Sequence, residues 1–111
     1  MKGDHLGEFE ELVLLAVHGL NADAYGVSVQ VVLAKETSRD VSLGAVYAAL
    51  DRLEAKGLVR SRTAPGTATR GGRSRRAFSI TASGAQALDA MQQVRLRLRR
   101  AATYKAIRPR P

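Results

Sequence analysis

The sequence has no cysteine and no tryptophan. Without cysteine there is no disulfide staple, no thiolate metal site and no cysteine nucleophile, an absence that fits a reducing compartment. Of the two histidines, His5 lies near the terminus and His18 closes a helix. Neither comes with a second histidine or a carboxylate at ligand or triad spacing, so the residues offer no metal site, no cofactor site and no catalytic centre. No apolar run approaches the roughly 18 to 20 residues needed to cross a bilayer. The opening MKGDHLGEFEE is acidic where a secretory signal is basic and then apolar. Both features point to the cytoplasm and away from a membrane. Three tyrosines and two phenylalanines are the only aromatics, thin provision for stacking on single-stranded RNA.

Acidic residues are scarce in one half. Residues 58–111 hold thirteen basic side chains and a single acid, Asp89, for a net +12, whereas residues 1–57 hold nine acidic and five basic, net −4. A folded chain with one strongly positive half carries a steering field for a polyanion, meaning nucleic acid or an anionic membrane surface; a solvated basic tail is the bland alternative. At 111 residues the chain suits one domain, which buries about two thirds of the surface its unfolded form exposes.

Phe9, Leu12, Val13, Ala16, Val17 and Leu20 recur at helical spacing, giving a first helix over about Leu6 to His18. Leu14 and Leu15 widen its apolar face beyond what one core needs, so it is either buried on two sides or shared with another subunit. Asp23 reads as the N-cap of a second helix with Tyr25, Val29, Val32 and Leu33 inward. Ser42 reads as the N-cap of a third, whose stripe is Val46, Ala49, Leu50 and Leu53 and whose stop is Gly57. Short links join the three, the layout of a helix-turn-helix that presents its last helix to a major groove.

After Gly57 the period changes to two. LVRSRT (58–63) and RAFSIT (76–81) read as antiparallel strands, and APGTATRGGRS (64–74) as the loop between them. Thr81 caps a final helix with Ala87, Met91, Val94 and Leu98 at coiled-coil spacing and Leu88 adjacent. The expected fold is therefore mainly α with a small β-hairpin (α+β): a winged helix-turn-helix over residues 1–80, a C-terminal dimerisation helix over 81–104 and a basic flexible tail over 105–111.

On the third helix, Ser42, Leu43, Gly44, Ala45, Tyr47, Ala48 and Arg52 form the leading face. Only Ser42, Tyr47 and Arg52 carry polar groups that reach bases or phosphates, while the small residues allow close approach and contact with thymine methyls. Tyr47 suits a core aromatic equally well, and Arg52 suits an ion pair with Asp51 or Glu54. In the wing, Arg70, Gly71, Gly72, Arg73, Arg75 and Arg76 combine guanidinium groups that grip phosphate with glycines that let the backbone come near. GTATRGGRS is not a nucleotide-binding loop, since Gly72 stands at the lysine position and a strand follows. A two-fold interface would draw on Leu6, Phe9, Val13, Leu88, Met91, Val94 and Leu98, although one apolar stripe does not distinguish a partner from the chain's own core.

LGEFEELVLLAV (6–17), DAYGVSV (23–29), RDVSLGAVYAALDRLEAKGLV (39–59) and RGGRSRRAFSITASG (70–84) closely resemble the PadR family of bacterial transcriptional regulators, in its short form with a single C-terminal helix. The resemblance implies a winged-helix homodimer that binds double-stranded DNA at an inverted repeat, mostly as a repressor and often near its own gene. It also implies release by a small molecule or stress signal acting at or near the dimer interface. Two departures limit the transfer. The tyrosine pair common after the family's wing is Ala77 and Phe78 here, and the absence of tryptophan removes the sandwich that drug-sensing members use for planar aromatics. An RNA-binding protein and a protein-interaction module built on the first and last helices are the alternatives from other classes.

Overall fold

Glu8, Glu10 and Glu11 put negative charge on the first turn of a helix, where the backbone dipole favours it. That helix, α1, spans Glu8–Leu20, two residues later at each end than its apolar spacing predicts. The computed structural model describes residues 6–64 and 75–106. After α1 come a 3-10 turn (Asn21–Asp23), α2 (Gly26–Thr37), α3 (Leu43–Ala55), β1 (Val59–Ala64), β2 (Arg75–Ile80) and α4 (Ala82–Ala106). Four helices and a two-stranded antiparallel hairpin make the α+β winged helix-turn-helix expected from the sequence.

The start of α2 is a correction. The sequence places its N-cap at Asp23, whereas the structure places it at Tyr25. Tyr25 is extended and bridges Ala77 of β2, and the Ala24 carbonyl accepts from the Phe78 amide at 2.8 Å. The chain is thus committed to the sheet until Gly26. Ser28 then serves the helix start, its Oγ accepting from the Tyr25 amide at 2.9 Å and donating to the Asp23 carbonyl at 2.5 Å.

Helix α3 is bounded as its residues dictate. Ser42 Oγ accepts from the Ala45 amide at 3.1 Å, satisfying a donor that the first turn leaves open. At the other end Gly57 takes φ 76°, its amide reaching the Glu54 carbonyl and that of Leu58 the Leu53 carbonyl, both at 2.9 Å. This pair of bonds is a Schellman closure, which needs the left-handed residue that glycine supplies. The buried stripe is Val46, Ala49, Leu50 and Leu53. It packs on Val13, Leu14 and Val17 of α1 and on Val29 and Leu33 of α2, so Leu14 belongs to the core and only Leu15, 46% exposed, is left outside.

The hairpin pairs Val59 with Ile80 through Ala64 with Arg75, and Val59 and Phe78 close the core beneath it. Thr81 then does two things. Its Oγ1 donates to the Gly57 carbonyl at 2.7 Å and accepts from the Gly84 amide at 3.0 Å, tying the start of α4 to the end of α3. Beyond that, α4 packs chiefly on α1 and β2.

Gly26 has no room for a side chain. A Cβ there would meet Tyr47 Oη at 2.5 Å and Cε1 at 2.8 Å. Gly26→Ala is expected to cost about 1–3 kcal/mol through overpacking, measured by urea denaturation. The loss should shrink when Tyr47→Leu is added; an unchanged loss would mean that the tyrosine is not what fills the space.

Candidate nucleic-acid interface

With Val46, Ala49, Leu50 and Leu53 turned inward, α3 presents Ser42, Gly44, Ala45, Ala48 and Arg52 to solvent and Leu43 half-buried beside them. Nothing lies within 4 Å of where a Cβ on Gly44 would sit, so the first two turns form an open surface of small side chains. Such a surface admits a groove closely and leaves few groups to read bases directly. Tyr47 is not on it. Its ring is half-buried against the core and over Gly26, the core placement that the sequence left open.

Arg52 is already engaged, and its partner is one that sequence spacing does not suggest. Its Nε donates to Glu10 Oε2 at 2.6 Å, and Lys56 Nζ donates to Glu10 Oε1 at 2.6 Å. The Glu10 side chain is 11% exposed, against 53% for Arg52 and 20% for Lys56. Burial opposes ionisation of Glu10, but the hydrogen bonds and charges of Lys56 and Arg52 outweigh it and hold the carboxyl below its ordinary value. Its neighbour Glu11, also buried, accepts from two nitrogens of Arg95 on α4, Nε at 3.1 Å and Nη2. Two adjacent carboxylates thus fasten α1 to α3 on one side and to α4 on the other.

The hairpin separates its arginines by face. Arg70, Gly71, Gly72 and Arg73 lie outside the described residues. Arg76 reaches α3, donating to Glu54 at 2.9 Å and Asp51 at 3.2 Å while its guanidinium sits 4.8 Å from the Phe78 ring centroid. These pairs, between side chains that are all exposed to solvent, tie it to α3. Arg75, on the opposite face, stacks over Tyr25 at 3.9 Å from the centroid, an arrangement that occupies the plane of the guanidinium and leaves its edge able to donate. Arg60 and Arg62 of β1 pair across with Ser79 and Ala77 and so share the face of Arg75. They are exposed, and no ion pair among the described residues includes them. Neither was among the residues singled out from the sequence, although the alternation in LVRSRT marks them.

The residues expected at a two-fold interface divide in the same way. Leu6, Val13 and Leu88 are buried within the chain's own core, and Val13 has no accessible surface left for a partner. Phe9 and Met91 are half-buried, whereas Val94 at 38% and Leu98 at 62% are exposed. A shallow groove between α1 and α4 is lined by Leu15, His18, Ala85, Leu88, Asp89 and Gln92. Among the described residues no three potential metal ligands gather, and no helix is long and apolar enough to cross a membrane.

The sequence matches the model of the transcriptional regulator PadR-like family over residues 14–90. No curated protein matches it. Among solved structures the chain is similar to a PadR-like transcription factor from Bacteroides fragilis, with a TM-score of 0.74 and 23% identity over 86% of this chain and 87% of that one. A PadR family transcription regulator from hypervirulent Clostridium difficile R20291 gives 0.71 and 23% over 90% and 99%. Bacillus subtilis PadR, solved in complex with operator DNA, gives 0.65 and 16% over 94% of this chain and 49% of that one. At these identities the likeness is one of fold.

The lowered Glu10 carboxyl predicts a pH dependence. A carboxylate that folding makes more acidic adds stability above its unfolded value, and the contribution disappears as pH falls through the folded value. The wild type should therefore be more stable than Glu10→Gln at pH 7, with the difference shrinking as pH drops below 4.5, the ordinary glutamate value. Parallel urea titrations between about pH 7 and 3 test this; a gap that stays constant with pH would mean that Glu10 contributes by packing and not by charge.

Proposed function

The chain belongs to the PadR-like family of transcriptional regulators, and from that membership and the geometry above we propose that it is a homodimeric, sequence-specific repressor of an inverted-repeat operator on double-stranded DNA in the cytoplasm. The observation that carries this is the outward face of α3, open and small from Ser42 to Ala48, standing beside a hairpin whose Arg60 and Arg62 enter no ion pair among the described residues. In this reading α3 enters the major groove led by Ser42, Leu43, Gly44, Ala45 and Ala48, while Arg52, which the sequence also offers to the duplex, stays on Glu10. The wing, with Arg70, Gly71, Gly72, Arg73 and Arg75, lies along the backbone. Few polar groups face the bases, so part of the sequence preference comes from the deformability of the duplex. The Bacillus subtilis PadR whose fold this chain shares was solved on operator DNA.

The dimer is proposed to form through the outer half of α4. Val94 and Leu98 are exposed there, one helical turn apart on the same stripe, and Phe9 and Met91 extend the surface toward α1. Two-fold symmetry then sets the half-sites one helical turn apart, about 34–36 Å. An effector is proposed to act where α1 and α4 meet that interface, because a ligand that changes the pairing of the arms changes the spacing of the two α3 helices.

Fluorescence anisotropy on duplex from upstream of its own gene, against scrambled duplex and structured RNA, tests the proposal. Binding should favour the upstream fragment at two chains per site and weaken about 10³- to 10⁵-fold between roughly 50 and 200 mM salt if six to ten phosphates are contacted. Arg73→Ala with Arg75→Ala should weaken all duplexes alike and flatten that salt slope. Equal affinity for all three nucleic acids would reject sequence-specific regulation, and an unaltered slope in the double variant would remove the wing from the interface.

A further inference from the structure

We propose that Glu10 is a specificity-determining residue: its carboxylate withholds Arg52 and Lys56 from DNA phosphates, so that α3 is attracted to a duplex by its groove-reading face and not by charge alone. The inference rests on the DNA-binding role proposed above and adds the residue that limits it. It begins from a contrast among the ion pairs. Arg39 with Glu8, and Arg76 with Asp51 and Glu54, join side chains that are all between 38% and 67% exposed. Pairs of that kind are weak, and a phosphate displaces a surface carboxylate readily. Glu10 differs because it is almost wholly covered, and each of its oxygens holds a different cation at 2.6 Å. Little of the Glu10 carboxylate faces solvent, so drawing Arg52 or Lys56 to a phosphate takes a close charge-assisted contact from a largely covered acid.

The placement gives this a functional consequence. Arg52 projects on the solvent side of α3, ten residues beyond Ser42 and on the helix that faces the duplex, and Lys56 lies one turn further along. Two free cations there would bind phosphates of any sequence, raising affinity without adding discrimination. Arg60 and Arg62, which no carboxylate holds among the described residues, show the other arrangement. The chain therefore keeps its freely available positive charge off α3 while the acid from α1 screens the cations of that helix.

A structural role alone and a screening role predict changes of opposite sign. If Glu10 only braced α3, Glu10→Gln would weaken binding to every duplex. If it screens, Glu10→Gln should tighten binding to scrambled duplex, reduce the ratio of specific to non-specific affinity, and steepen log K against log salt by about 0.9 per newly engaged cation. Arg52→Gln should leave the slope unchanged in the wild-type background and remove about 0.9 per chain in the Glu10→Gln background. Circular dichroism establishes that each variant is folded, and the Arg52→Gln comparison in the wild type stands even if Glu10→Gln does not fold. A shallower slope on Arg52→Gln in the wild type, or weaker scrambled-duplex binding by a folded Glu10→Gln, would overturn the inference while leaving DNA binding intact. Failure of the wild type to bind any duplex would overturn both.

Discussion

The carboxylate of Glu10 sits between α1 and α3 with a cation on each oxygen, and it joins the first helix to the helix proposed to enter the groove. Apolar packing of α1 on α3 sets most of that helix's placement, because dispersion contacts are weak one by one and large together. A buried ion pair is different. Its geometry is narrow, and the alternative is an uncompensated charge out of water. The pair at Glu10 thus adds a directional contact between α1 and α3 to the apolar packing. Glu11, the next residue, does the same toward α4 through Arg95. One turn of α1 therefore fixes both the helix proposed to read DNA and the helix proposed to hold the partner subunit.

That arrangement gives the uneven charge of the sequence a physical meaning. Five of the nine acids of the first half are engaged by cations. Glu8, Glu10, Glu11, Asp51 and Glu54 each meet a cation. What remains unpaired among the described residues is concentrated on the outer face of the hairpin, at Arg60 and Arg62, and on the outer half of α4, at Arg97, Arg99 and Arg100. In the proposed complex that positive charge lies beside α3 and along α4, where it supplies steering, while α3 supplies shape.

Much of this architecture was legible in the residues because it is set locally. Ser42, Gly57 and Thr81 mark helix ends by chemistry that acts over three or four residues, and the change of period after Gly57 marks the hairpin. The start of α2 was not legible, since Tyr25 is held extended by Ala77, some fifty positions away. Nor was the partner of Arg52. Local reasoning offered Asp51 and Glu54, which in the structure take Arg76, while Arg52 goes to Glu10, forty-two positions distant. The stripe on α1 and α4 marks Val13 and Leu88 as covered, and their own chain covers them, a distinction that hydrophobic spacing does not make because it records that a side chain is covered and not by what. Arg60 and Arg62 were visible as an alternation and were read only as strand residues.

Two copies of the chain are proposed to present α3 to successive turns of one duplex. Hydroxyl-radical footprinting on DNA from upstream of its own gene tests it most directly. The account predicts two protected tracts on one side of the helix, centred about 10–10.5 base pairs apart or a multiple of that spacing. A single protected tract, or uniform protection along the fragment, would contradict it.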